Sequence, residues 1–268
     1  MRSRRSSHPM HRRPAPWGAA AAGLVLGGTL ALLTQAPAAW LAQGLAQATQ
    51  GRLLLTQTEG RVWRGGGQLV LTGGPGSRDG MVLPGRLHWT LAPAGLGLAL
   101  HLRTDCCHPA EATRLRLHFE GGGWHLSVDN GHSRWPAPLL SGLGTPWNTL
   151  QPEGELALRT HDLRLQWHQG RLTMSGQLTL QAQHMASRLS TLKPMGSYQL
   201  QLQGGDVPGL SLQTLEGALQ LSGQGRWVGG RLRFDGEATA SPGHEAGLSN
   251  LLNIIGRRQG ARSLISVG

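Results

Sequence analysis

Acidic residues are scarce: 14 Asp and Glu stand against 25 Lys and Arg in 268 residues, for a formal charge of +11. Acid/base chemistry by paired carboxylates needs two of them close together, and only Glu153 with Glu155 and Asp235 with Glu237 come near each other in sequence. Both pairs read as solvated strand residues, which makes an ordinary hydrolase site hard to assemble. Cysteine is confined to the adjacent Cys106 and Cys107. Neighbouring Cα atoms lie ~3.8 Å apart, below ordinary disulfide spacing, so a strained vicinal bridge, a bond to another chain and two idle thiols all stay open. With His108 they still fall a ligand short of a structural zinc site. Aromatic residues are 4 % of the chain, too few for the interfacial girdles of an outer-membrane barrel. There is no G-x-S-x-G, H-E-x-x-H, phosphate-binding G-x-x-x-x-G-K or EF-hand spacing. These absences lead us to expect a chain with no catalytic site, metal or cofactor.

Lysine occurs once, at Lys193, so arginine carries the positive charge. Five of those arginines, Arg2, Arg4, Arg5, Arg12 and Arg13, precede residue 14, and from Arg52 onward the rest, apart from the adjacent Arg257 and Arg258, are spread singly along the chain. Nucleic-acid binding calls for a basic cluster on one face, and none interleaves with aromatics here. A solvated arginine face is the simpler reading, compatible with a mild attraction to anionic lipid headgroups.

Charge of either sign is missing altogether from Pro14 to Gly51. An apolar stretch near the ~20 residues that cross a bilayer is a candidate membrane span, and the preceding arginines would hold the N-terminus in the cytoplasm. Trp17 and Trp40 stand where interfacial aromatics sit. The expected organisation is therefore a basic cytoplasmic tail over 1–13, a transmembrane anchor over 14–41 and an exported domain over 52–268. A cleaved leader is the competing reading, with Ala36-Pro37-Ala38 as its small triplet. The proline in that triplet and the length of the apolar segment favour the anchor.

Beyond this stretch the apolar residues fall at every second position. Leu87, Trp89 and Leu91 begin the beat; Leu96 to Leu102, Leu115 to Phe119 and Trp124 to Val128 continue it. It returns in Leu163 to Trp167, Leu172 to Leu180, Tyr198 to Leu202, Leu219 to Leu221 and Leu232 with Phe234. Period two over many short segments, broken by Gly, Pro and Asp, predicts antiparallel β-structure with one buried face. The fold class is therefore mainly β, a curved or repeated sheet. The 41 glycines, about twice the usual ~7 % share, fall between the alternations, where turns belong. His88, His101, His118, His125 and His168 occupy the polar phase and read as surface residues. One apolar face cannot stay wet, so the sheet must curl, pack on another layer or hold something apolar.

Two segments break the beat. Residues 135–151 are aperiodic and proline-bounded, which predicts a connection holding a short helix, a pivot between two halves of the sheet. Glu245 to Arg258 has Leu248, Leu251, Leu252 and Ile255 at helical spacing, with Ser241-Pro242 as its opening, Gly256 as its stop and Arg257 and Arg258 at the negative end of its dipole. Ser263 to Val267 suits a last strand.

The pattern W-x-x-G-R-L-x-φ-x-G occurs at Trp167–Gly176 and again at Trp227–Gly236, with a partial copy at Trp63-Arg-Gly-Gly66. Recurrence of one hairpin-like unit suggests a sheet grown by repetition.

Three motifs carry a resemblance. Gly60-Arg61-Val62-Trp63-Arg64-Gly65, then Pro194-Met195-Gly196-Ser197-Tyr198, and above all the run from Gly223 through Trp227 and Gly236 to Leu251-Leu252-Asn-Ile-Ile-Gly256-Arg257-Arg258 resemble type II secretion system protein N. That family is similar to the broader AsmA-like group, whose long curved sheets form apolar grooves associated with lipid handling. The resemblance implies a non-enzymatic, single-pass protein of the cell inner membrane, with a cytoplasmic N-terminus and a periplasmic β-rich domain. It implies other type II secretion subunits and the inner membrane as partners, with no nucleic acid. A lipid-binding or lipid-transfer module using an apolar β-groove is the alternative. Trp63, Trp227, Leu251, Leu252, Gly256, Arg257 and Arg258 are the candidate structural or partner-contact residues.

Overall fold

The computed structural model describes residues 17–106, 112–228 and 231–268. It divides into two units, residues 1–36 and 37–268. In the first, α1 (Trp17–Gln35) carries apolar side chains around its whole circumference, with Leu24, Val25, Leu26 and Leu30 all exposed.

The expected span over 14–41 is not one helix. Pro37 has no N–H to donate and its ring would clash with the preceding turn, so α1 stops at Gln35 and a second helix, α2 (Ala38–Ala48), starts after Pro37. Trp40 therefore belongs to α2, which lies along the first strand of the second unit. Glycines at 18, 23, 27 and 28 dilute α1, and among the described residues no helix is long and apolar enough to cross a membrane. The basic tail lies outside the described residues.

The second unit is built on one sheet of 16 strands, in which every pairing is antiparallel. Its first half comprises β1 (Leu53–Gly60), β2 (Arg64–Thr72), β3 (Gly80–Val82), β4 (Leu87–Pro93), β5 (Gly97–Thr104), β6 (Thr113–Glu120), β7 (Gly123–Val128) and β8 (Gly131–Pro136). The second half holds β9 (Glu153–His168), β10 (Arg171–Ala186), β11 (Gly196–Gly205), β12 (Gly209–Gly217), β13 (Leu219–Val228), β14 (Arg231–Ala240), β15 (Arg257–Gln259) and β16 (Arg262–Val267). Neighbours in sequence are neighbours in space almost throughout; β3 and β8 are offshoots that extend the edges of β2 and β9. A meander of this kind needs only short turns, which the glycine-rich breaks supply.

Opposed residues of an antiparallel pair share a face, so the register shows where the alternation leads. Leu91 faces Leu100, Leu100 faces Leu115 and Leu115 faces Val128. Further on, Leu158 faces Leu180, Leu180 faces Leu200 and Leu200 faces Leu212. On the polar face His101 opposes Arg114 and His118 opposes His125, the surface placement expected of these histidines. Leucine is a mediocre strand former, yet the period decided the structure because each Leu gains an apolar cross-strand partner.

The two copies of the Trp-Gly-Arg-Leu pattern are equivalent hairpins: Trp167 opposes Leu172 and Trp227 opposes Leu232. The partial copy differs. Trp63 sits in the turn between β1 and β2, where its carbonyl accepts from the Leu91 backbone N–H at 2.8 Å.

The connection expected over 135–151 starts two residues later, because Trp135 and Pro136 still pair with β9 as the end of β8; beyond them lie a 3-10 turn at Ala137–Leu143 and the expected short helix, α3 (Trp147–Leu150). The 3-10 turn touches β2 and β3 on one side and β9 on the other. A Cβ at Gly142 would lie 2.5 Å from the Leu71 carbonyl oxygen and 2.7 Å from the Met81 backbone nitrogen, so only glycine fits this approach. Strands β2 and β9 are five places apart in the sheet, and one short segment can reach both only if the sheet curls between them.

The helical spacing after residue 245 gives α4 (Glu245–Ile255), with boundaries that differ from those expected. Ser241 is no N-cap: its backbone N–H donates to the Ala218 carbonyl at 2.7 Å, extending the sheet, and His244 holds the cap position. Nor do Arg257 and Arg258 sit on the helix end. Gly256 leaves the helix extended, at φ −170°, and both arginines join β15, opposite Leu264 and Ser263.

An apolar cavity under two short helices

A helix of 11 residues is marginal alone, so packing must hold α4 in place. Leu248, Leu251 and Leu252 do this: all are buried, at 0–2 % exposure, in one cluster with Leu219, Ala238 and Tyr198 of the sheet and Met195 just before β11. Each such leucine contributes about 2 kcal/mol of burial. At the helix end the buried Ser263 hydroxyl donates to the Leu252 carbonyl, and on the other flank Ser190 Oγ donates to the Gly247 carbonyl at 3.1 Å. Leu251 and Leu252 thus hold the helix to the sheet. Gly256 is required by a close approach, since a Cβ there would stand 2.5 Å from the Leu264 carbonyl oxygen.

Between α3, α4 and the apolar face of β9 to β13 lies a cavity of about 400 Å³. Leu156, Leu180, Leu200, Leu212 and Leu221 form its floor; Trp147 and Leu150 of α3 and Leu251, Ile254 and Ile255 of α4 form its walls. The two segments that interrupt the strand pattern are therefore the two that roof the sheet. Its lining holds few polar groups. Ser187 commits its hydroxyl to the Leu150 carbonyl, and Trp147 stands partly exposed. Tyr198 is the exception: only 7 % exposed, its hydroxyl has no hydrogen-bond partner. Burial without a partner pushes its pKa up from the usual value near 10.

A second cavity, of about 620 Å³, lies on the same face further towards the N-terminus, lined by Leu87, Leu102, Val128, Trp135, Leu158, Leu163 and Leu178. Leu158 and Leu163 are five residues apart and would point to opposite faces of a regular strand. A bulge near Asp162, whose φ is +47°, restores them to one face. Leu156 and Leu158 are next-but-one neighbours on β9, and so are Leu178 and Leu180 on β10, so the two cavities share one continuous apolar surface.

The remaining candidates are dispersed. Trp63 lies in the β1–β2 turn and Trp227 at the outer end of β13, both half-buried, while Arg257 and Arg258 are exposed on the edge strand β15. Glu153 pairs with Lys193 at 2.8 Å and Glu155 with Arg134 at 3.5 Å, so the carboxylates that stood close in sequence are engaged in separate surface ion pairs. Cys106 is disulfide-bonded; Cys107 and His108 lie outside the described residues. Among the described residues no three metal-ligating side chains come together. Sequence reasoning placed Tyr198 at the head of a strand alternation and Met195 to Tyr198 in a resemblance, but missed their place at the cavity. Residues 195–198 are all buried, where a half-buried strand would alternate, and burial of both phases is a tertiary outcome without a local sequence signal.

Fold and site together define a class: an antiparallel meander sheet, curled, with one apolar face partly roofed by short helices. The chain belongs to the type II secretion system protein N family, whose sequence pattern matches residues 51–264. It is thereby tied to type II secretion. No curated protein and no solved structure matches it.

Proposed function

We propose that this protein is a non-enzymatic component of the type II secretion apparatus at the cell inner membrane, acting through contacts with other subunits in the export of folded proteins. The family match carries the reading: it runs from the start of β1 into β16 and so coincides with the sheet itself. In this reading the sheet is periplasmic and the arginine-rich tail cytoplasmic, which requires a single pass at α1; that helix, about 28 Å long at 1.5 Å per residue, falls short of crossing by itself. A helix that is apolar all round needs a core or lipid to cover it. No cofactor and no nucleic acid enters the reading.

Deleting the gene and assaying secreted enzymes tests the role, with complementation by the wild-type chain and by Trp63→Ala, Trp227→Ala and Arg257→Ala/Arg258→Ala variants. Secretion that is unimpaired by the deletion would sink it. Fractionation and N-terminal sequencing test the seat, and a mature start near Ala39 removes the anchor.

The cavity of about 400 Å³ favours a second reading, in which the sheet is an AsmA-like groove that binds or transfers lipid. Native mass spectrometry of gently extracted protein separates the two, because a protein acting by subunit contacts alone carries no co-purifying lipid.

A further inference from the structure

Strands of a meander alternate in direction, so β1/β2, β4/β5, β6/β7, β9/β10, β11/β12 and β13/β14 all turn at one end of the sheet. That rim differs from the other end, where α3 and α4 lie over the starts of β9, β11 and β13. Phe119 opposes Trp124, Trp124 opposes Trp167 and Trp167 opposes Leu172, a row that forms the last rung of the apolar face. Trp227 opposite Leu232 repeats this rung further on. Leu96, Phe119, Trp167, Leu172, Val207 and Val228 are all exposed along the rim. Single exposed apolar residues are ordinary, but a file of them along one rim marks a contact surface.

The same rim is basic. Arg61, Arg64, Arg171, Arg226, Arg231 and Arg233 lie in these turns or within three residues of them, and all are exposed. Among the described residues the acids there are Glu120, Asp206 and Glu59, and Glu59 is already paired with Arg86 at 3.3 Å. Pro37 bridges Arg61 in the first turn, so the chain that leaves α1 enters the sheet unit at this end.

We propose that the rim rests on the surface of an anionic phospholipid bilayer, with Trp167 and its row at the headgroup boundary and the turn arginines on the phosphates. This rests on the membrane seat given above and names the contacts that complete it. The contact lies at the strand ends, away from the cavity, and takes up no lipid. Tryptophan favours membrane–water interfaces, and each arginine near an anionic surface strengthens attachment about fivefold. The shape also selects a bilayer: the contacts are strung one residue deep along the rim, whereas a protein interface packs around a central apolar core. Because α1 does not cross a membrane by itself, a second signal is needed for stable attachment.

The test uses the full-length protein in cells, carrying Leu172→p-benzoylphenylalanine or Val207→p-benzoylphenylalanine at the rim, or Gln220→p-benzoylphenylalanine at the opposite end. After illumination the membrane fraction is isolated and adducts are read by mass spectrometry. Phospholipid adducts are expected at the two rim positions and not at the third. Arg171→Gln/Arg231→Gln should lower the adduct at the Leu172 position about fivefold or more, with circular dichroism still that of a folded sheet. Recovery of the protein outside the membrane fraction sinks the seat and the rim contact together. Membrane-bound protein without lipid adducts at the rim overturns the rim contact alone. So do equal lipid adducts at the Gln220 position, an adduct unmoved by the arginine changes, or adducts to another protein or a second copy in place of lipid.

Discussion

The N-terminal and C-terminal stretches of this sheet carry the same leucine alternation and end up in different environments. In β11 to β14, Leu219, Ala238 and Tyr198 are buried, because α4 and α3 press down on them. In β5 to β7, Leu98, Leu100, Leu115, Leu117 and Leu126 are only half-buried. Their pairing is equally regular and their face is equally apolar. The difference is cover: a strand pattern selects the face, and whatever lies over that face sets its burial.

The largest expected effect of substitution follows from this. Leu252→Ala removes a fully buried side chain from the sheet-facing side of α4 and should cost about 2–5 kcal/mol. Leu117→Ala, in the half-covered stretch, should cost about 1 kcal/mol, in line with the ordinary run of substitutions. Urea unfolding of the two variants measures the gap directly, and equal losses would break the comparison. Gly256→Ala comes next. Its Cβ must displace the Leu264 carbonyl, so a loss of about 1–3 kcal/mol is expected from overpacking, felt first as loosening of α4 and β15 in hydrogen exchange.

Tyr198→Phe should move stability the other way. Removing an unanswered buried hydroxyl is expected to stabilise the lipid-free protein by about 1 kcal/mol. The pH dependence has a definite sign. The folded pKa of Tyr198 is raised above an ordinary value near 10, so the folded state holds its proton while the unfolded state loses it. The stability is fully present below about pH 10 and falls as pH rises through the alkaline range. Thermal melts of wild type and variant should diverge progressively above that pH, and parallel curves would show that the hydroxyl is answered in solution.

The smallest effect belongs to the exposed edge. Arg257→Ala and Arg258→Ala remove solvated side chains from β15 and should change stability by less than about 0.5 kcal/mol. Their value is diagnostic: secretion that fails in a stable double variant marks β15 as a partner surface, and secretion that persists removes the two arginines from that role.

Much of the fold was legible residue by residue. Leu87, Trp89 and Leu91 alternate because one face of β4 is apolar, and the same reasoning located most of the sheet. The helix at Leu248, Leu251 and Leu252 was legible from its spacing, and the repeated Trp-Gly-Arg-Leu hairpin from its pattern. Its limits were equally physical. Ser241 looked like a cap, but its backbone was claimed by Ala218 across the sheet, a contact 23 residues away in sequence that no local rule contains. The long charge-free stretch looked like one span, yet a single proline divides it. Glu153 and Glu155 were read as solvated, and they are; what no local rule contained is that each has its own ion-pair partner, Lys193 and Arg134.

The sequence by itself determined that this chain makes an antiparallel sheet with one apolar face, because side chains on a strand alternate sides and the leucines keep that period. It also marked residues 137–151 and 245–255 as breaks in the strand pattern. Only the tertiary structure decided that these two exceptions would meet over the same face and enclose a cavity around Tyr198. That outcome depends on register, on the bulge at Asp162 and on the curl that lets one short turn touch β2 and β9. Each of these sums contacts between residues far apart in the chain, and local periodicity carries no record of them.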